Sequence, residues 1–246
     1  MRLRVIENLK IAEDVHVLKI EKPPNFSPLP GQFAVLSPNG IKRAYSIANY
    51  PEHCDYLEFC IKRVPGGAVS PLLCDAKPGT EINLFGPFGK FVLQNPKEKR
   101  ILFACTGTGI APIKAMLEYL EKNDLHEGRE IHLVYGARDE KSILYREYIN
   151  SWMKRDNFHA YITLSAPSRA WKGERGLIQD VLRKHFSSLK KFEIYICGSP
   201  QMVRETKSLC EILRAKAEKI KYEACILKKN VNEFIHKLVE RSRRIF

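Results

Sequence analysis

The sequence predicts two domains, an N-terminal antiparallel β-barrel followed by an α/β domain whose parallel sheet is doubly wound. Three observations predict this. Up to about residue 95 the apolar stretches are short and are cut repeatedly by Pro and Gly. From Lys99 onward, apolar strands alternate with stretches of helical period. The first of those strands, Ile101 to Ala104, runs on into Gly107-x-Gly109-x-x-Pro112 and then into a helical pattern. Short strands at close spacing indicate a barrel or sandwich. Strands alternating with helices indicate a parallel sheet covered on both faces, with ligands at the carboxyl ends of its strands.

The elements follow in order. Val15 to Ile20, Gln32 to Leu36, Tyr56 to Val64 and Glu81 to Leu84 are expected strands, divided by Pro23-Pro24, Pro38-Asn39-Gly40, Pro65-Gly66-Gly67 and Pro78-Gly79. They assign residues 1–95 to the barrel. The polar segment Gln94 to Arg100, which contains Pro96, is the expected hinge. In residues 96–227, strands Ile101 to Ala104, Ile131 to Tyr135, Ala160 to Leu164 and Glu193 to Ile196 alternate with helices Ile113 to Lys122, Ser142 to Lys154, Leu177 to His185 and Met202 to Ala217. Beyond them Val231, Phe234, Ile235, Leu238 and Val239 recur at helical spacing behind an Asn230-x-x-Glu233 cap, so 228–246 is an expected amphipathic helix.

At 246 residues and 44% apolar, the chain can bury a core in each domain. Forty-one basic against 28 acidic residues give a formal charge of +13, which favours an acidic partner. No zinc-finger, RNA-binding or basic-zipper pattern accompanies that charge, so nucleic acid is not the expected partner. No stretch reaches the roughly 18 apolar residues of a membrane span. The N-terminus lacks a secretory pattern, and a cytoplasmic protein is expected. The seven cysteines are scattered without Cys-x-x-Cys spacing; they read as reduced thiols, and no metal or iron–sulfur centre is expected.

Gly107-x-Gly109-x-x-Pro112 has the chemistry of a phosphate cradle. Glycine allows close backbone approach, the first-turn N–H groups of a helix attract an anion, and proline suits helix entry. The same turn also occurs without a ligand. Arg43-Ala-Tyr-Ser46 reads equally as a half-buried strand, Gly66-Gly67-x-x-Ser70 as an anion-binding helix start or a plain turn, and Gly86-Pro87-x-Gly89 as a structural turn.

In this order, with Cys197-Gly-Ser-Pro-x-Met202 as the fifth, these motifs closely resemble the ferredoxin–NADP reductase family of flavoenzymes over roughly residues 1 to 227. The resemblance implies a flavin-binding barrel and a nicotinamide-nucleotide domain, with FAD and NADH or NADPH as cofactors. It implies that Arg43 pairs with the FAD pyrophosphate, that Tyr45 lies against the flavin, that Ser46 lies near flavin N5, and that Gly67, Ala68 and Ser70 complete the pyrophosphate site. Gly107, Thr108 and Gly109, with Pro112 at helix entry, would hold the nucleotide pyrophosphate. Thr106, Cys197 and Gly198 would border the nicotinamide, and Glu223 would handle protons near the flavin. Arg138, Arg169, Lys172 and Arg175 are cations that could meet a 2′-phosphate, yet Ser165 is followed by Ala166-Pro167, which is more like NADH-using members. Cys225 stands where many relatives carry a flavin-covering aromatic. The implied activity is hydride transfer from NAD(P)H to FAD, then electron transfer to an acidic carrier such as ferredoxin or flavodoxin. An NAD(P)H:flavin reductase and an electron-transfer subunit of a larger reductase complex are the alternatives.

Overall fold

The structure is a computed structural model that describes residues 1–225. The helix expected over 228–246 lies outside the described residues. Six strands form the first sheet: β1 Arg2–Ala12, β2 Val15–Glu21, β3 Phe33–Ser37, β4 Arg43–Ser46, β5 Tyr56–Lys62 and β6 Glu81–Phe88. Their spatial order is β4-β3-β6-β1-β2-β5, with every neighbouring pair antiparallel. A bridge between Ile47 and Phe59 joins the two edges, so the sheet closes on itself and hides edges that would otherwise pair with other chains. Alternation along the strands sends Leu3, Val5, Leu18, Ile20, Leu36, Leu57, Phe59 and Ile61 into one apolar interior. The spacing of apolar stretches does not single out β1, because only Leu3 and Val5 of its 11 residues are buried. A short helix, α1 (Ser70–Cys74), packs on the same interior.

The second sheet holds β7 Arg100–Thr106, β8 Glu130–Ala137, β9 Phe158–Leu164, β10 Glu174–Arg175, β11 Phe192–Gly198 and β12 Ile220–Ala224. All are parallel, in the order β10-β9-β8-β7-β11-β12. Helices α2 (Ile110–Lys122), α3 (Arg146–Trp152), α4 (Ile178–His185) and α5 (Pro200–Ile212) cover it. Phe103 and Cys105 face α2 and α3, while Leu102 and Ala104 face α4 and α5, the period-two pattern of a strand buried on both sides. The chain leaves β7 in one direction and returns to its other side at β11. The crevice where strand order reverses therefore lies between the carboxyl ends of β7 and β11.

Two helices are shorter than their periodicity predicts. In place of Ser142 to Lys154, α3 begins at Arg146, because Tyr145 is left-handed at φ 52° and a 3-10 turn over Glu140–Ser142, capped by Asp139, precedes it. α5 begins at Pro200 under a Ser199 cap and ends at Ile212, just before Arg214 turns left-handed at φ 67°. Val15, Ala48 and Cys60 of the barrel belong to the same apolar cluster as α2 and α3, so the packing is continuous between the two sheets. Among the described residues, no helix is long and apolar enough to cross a membrane.

Candidate functional site

The crevice is built from the end of β7. Five of its residues, Ile101 to Cys105, alternate between two apolar cores, and Thr106 emerges after them, half-buried. Gly107 follows at φ +53°, a left-handed value that a side chain resists, with nothing within 4 Å of the place a Cβ would take. A 3-10 turn over Gly107–Gly109 leads directly into α2, so the first turn of that helix starts beside open space. Gly109 is required for the opposite reason, since a Cβ there would collide with the carbonyl of Cys197. Gly198 is equally tight against Thr106 and Met202. Thr106, Gly107, Thr108, Gly109, Cys197 and Gly198 thus form one surface at the reversal point, with Pro112 buried in the first turn of α2.

Cys197 is fully buried. A hydrogen bond with the Cys225 thiol, together with burial, holds its own thiol well above the ordinary range, so it stays protonated and is no nucleophile. Cys225 packs against the cluster containing Cys60, Cys105 and Cys197, and its N–H donates to Gly198 O at 2.7 Å.

Glu223 stands beside Cys197 in the β11–β12 pairing. Its carboxyl oxygen lies 3.8 Å from where a Cβ on Gly89 would be, and that same position is 3.0 Å from the Phe33 ring. Phe33 is in register with Ser46. The carboxylate of the second sheet therefore sits beside Gly89 of the barrel, next to Phe33, the register partner of Ser46. Burial pushes its pKa up to about 7.

Arg43 and Tyr45 project to the opposite face of β4 from Ser46. The Tyr45 ring packs on the barrel interior beside Cys74 of α1, and burial raises its hydroxyl pKa. Arg43 donates from Nη1 to Lys42 O at 2.8 Å. The Gly66–Ser70 loop that opens α1 reaches the Tyr45 side of the barrel through that helix. Gly67 N–H donates to Val64 O at 2.9 Å, Val64 N–H donates to Ser70 Oγ at 3.0 Å, and Ala68 is exposed. The Ser70 hydroxyl thus braces the loop and still has its proton to give. Arg138 lies past the end of β8, where its carbonyl accepts from Ala166 N–H at 2.7 Å.

Sequence reasoning missed a charged cluster that joins the halves. Lys114 of α2 is 7% exposed, and its Nζ meets Glu58 of β5 at 3.2 Å, Glu118 at 2.6 Å and Ala48 O at 3.3 Å. Tyr145 donates its hydroxyl to Glu58 at 2.9 Å, and Tyr50 N–H donates to Glu118 at 2.7 Å. Burial alone would lower the Lys114 pKa, but the facing carboxylates outweigh it and keep the amine above its ordinary value. The available signal was a lysine on the apolar face of an amphipathic pattern, with a glutamate four residues on.

The profile of the oxidoreductase FAD-binding domain matches residues 2–93, and that of the oxidoreductase NAD-binding domain matches residues 103–208. Protein RfbI of Salmonella typhimurium is 33% identical over 201 residues, 80% of this chain and 59% of its own. The reductase component of propane 2-monooxygenase from Mycolicibacterium goodii is 35% identical over 195 residues, 76% of this chain and 56% of its own. Ferredoxin–NADP reductase B of Sorangium cellulosum is 32% identical over 191 residues, 74% of each chain. Among solved structures, the ferredoxin reductase in carbazole 1,9a-dioxygenase superposes with a TM-score of 0.79 at 27% identity, over 91% of this chain and 68% of that one. The chain spans 59% and 56% of the length of the first two relatives, less than two thirds of either.

Proposed function

The chain belongs to the ferredoxin–NADP reductase family, and from that premise we propose that it is an FAD-dependent NAD(P)H reductase handing electrons to an acceptor on a separate protein. We assign residues 1–95 to the flavin and 96–227 to the nicotinamide nucleotide. The observation that carries this reading is the convergence of the Gly107–Gly109 cradle, Cys197 and Glu223 on the Phe33–Gly89–Ser46 corner of the barrel. The residues fit the two cofactors. Gly107 leaves room beside the first turn of α2 for a diphosphate, and Gly109 and Gly198 leave the strand ends bare enough for a flat ring to approach. When bound, FAD supplies an acceptor for hydride and a donor of single electrons.

The residues' own work is positional. Arg43 and the loop at Gly67, Ala68 and Ser70 hold the flavin diphosphate; Tyr45 gives the ring an aromatic neighbour, and Ser46 offers a hydroxyl at its reactive edge. Thr106, Gly107, Thr108 and Gly109 seat the nucleotide, and Cys197 with Gly198 sets how near its ring can come, a distance on which near-attack geometry depends. Glu223, with a pKa of about 7, can hold or release a proton at neutral pH. We place the protein in the cytoplasm. The charge of +13 supports an acidic carrier, a ferredoxin or flavodoxin, as the partner. The greater length of relatives that are reductase components supports a second reading, in which this chain is the electron-transfer subunit of a larger complex.

The purified protein is expected to be yellow, to keep its flavin through gel filtration, and to bleach anaerobically on addition of NADH. Loss of flavin on the column with undiminished reduction of added free flavin would instead establish the flavin-reductase reading. A colourless protein that takes up no FAD would overturn both.

NADH is the proposed donor. Of the four cations available to a 2′-phosphate, Arg175 is engaged with the carbonyls of Ser168 at 2.9 Å and Trp171 at 3.1 Å. The Glu140 carboxylate binds Ser168 in the same loop, and these hydrogen bonds keep its pKa low, leaving a negative charge there. The ratio of kcat/KM for NADH to that for NADPH is expected to exceed one; a preference above about tenfold for NADPH, some 1.4 kcal/mol, would reverse the assignment.

A further inference from the structure

At the amino ends of β8 and β9, far along the sheet from the cradle, Glu130, His132 and His159 each present one donor atom, and the three donor atoms lie within 4.8 Å of one another. His132 and His159 are direct neighbours across the β8–β9 pairing, and Glu130 is two residues before His132, on the same face. Adjacent strands are about 4.8 Å apart, so side chains paired in this way need only ring rotation to converge. The two imidazoles are already 4.9 Å apart between centroids.

The His132 ring is 6% exposed and walled by Phe186 and Phe192, with Tyr161 stacked on it. One of its nitrogens, Nε2, meets Glu130 Oε1 at 2.9 Å; the other, Nδ1, is buried without a hydrogen-bond partner among the described residues. With Oε1 against Nε2, Nε2 is the nitrogen that an ion shared with Glu130 would take. Arg100 Nε holds the other carboxylate oxygen of Glu130 at 2.8 Å, which fixes the carboxylate while leaving Oε1 on the imidazole side.

We propose that Glu130, His132 and His159 form a binding site for one divalent transition-metal ion of the borderline class, with zinc as its type. Two imidazoles and a carboxylate are the donors such an ion takes, and three protein ligands leave one position for water. The strands bearing them are paired in register within the sheet, which favours a preformed site. Because it sits at the end of the sheet opposite Thr106 and Cys197, the ion ties β8 to β9 and takes no part in electron transfer.

Equilibrium dialysis of the full-length, chelator-treated protein against zinc chloride tests this. The wild-type chain is expected to take up one ion more than His159→Gln, and His159→Gln and Glu130→Gln are each expected to weaken that uptake tenfold or more. His16→Gln, a barrel histidine bonded to Asn8, is expected to leave it intact. Zinc at about a hundredfold excess over its Kd is expected to raise the wild-type melting temperature by about 5 °C or more and to leave that of His159→Gln unmoved. His159 and Glu130 are only half-buried, so both variants should keep the core. Uptake equal in wild type and both variants, or no rise in melting temperature at saturation, overturns the proposal.

Discussion

Glu223 shows how a single side chain carries information that its residue type does not. A glutamate at the end of a strand is ordinarily solvated, yet this one lies half-buried where the two sheets meet, and burial raises its pKa to about 7. Between the ordinary carboxylate value near 4.5 and that figure, the folded state binds a proton that the unfolded state has already released. Stability should therefore fall as pH rises through this window, with a cost on the order of 3 kcal/mol fully present above pH ~7 and absent below pH ~4.5. Glu223→Gln should remove most of that slope in urea denaturation at pH 5 and pH 8; an unchanged slope would show that the carboxyl is solvated. Cys197 makes a different point. The sequence marks it only by the Gly-Ser-Pro that follows, and its thiol partner Cys225 comes from the residue just past β12, a placement that depends on the β11–β12 register.

Among the elements, α2 does two jobs with its two ends. Its N-terminal turn faces the crevice, while its flank carries Lys114 into contact with the barrel strand β5. Replacing Lys114 by Met would leave Glu58 and Glu118 charged and buried, and should cost about 3–5 kcal/mol in denaturant unfolding. Adding Glu58→Gln should recover part of that loss; a double variant as unstable as the sum of its singles would mean that the two do not interact. Periodicity made α4 legible to within a residue and α2 apart from its first three residues, and the change of rhythm near Lys99 made the division into two sheets legible, though not β1, β10 or β12. What it could not show was local backbone geometry. The left-handed Tyr145 that delays α3 is neither Gly nor Asn, and the reason for its conformation is tertiary: its hydroxyl reaches Glu58, 87 positions away. The cradle glycines were readable because two opposite demands, an unusual φ and a close approach, both exclude a side chain. The Glu58–Lys114 contact was not, because neither residue belongs to a motif.

On the scale of the whole molecule, the excess of positive charge should act through the rate of encounter. Raising ionic strength from about 0.01 to 0.15 M shortens the screening length from roughly 30 to 8 Å. Electron transfer to an acidic carrier protein should then slow at least about tenfold, while reduction of a neutral quinone should hardly change. Equal salt sensitivity of the two acceptors would count against electrostatic docking. The apolar cluster that runs unbroken from Val15, Ala48 and Cys60 into α2 and α3, pinned by a buried cation, has a mechanical consequence. This is a jaw welded at its joint. Nucleotides must slide into and out of a slot of constant width, so thickening the medium with sucrose should leave hydride transfer in a single turnover at its aqueous rate.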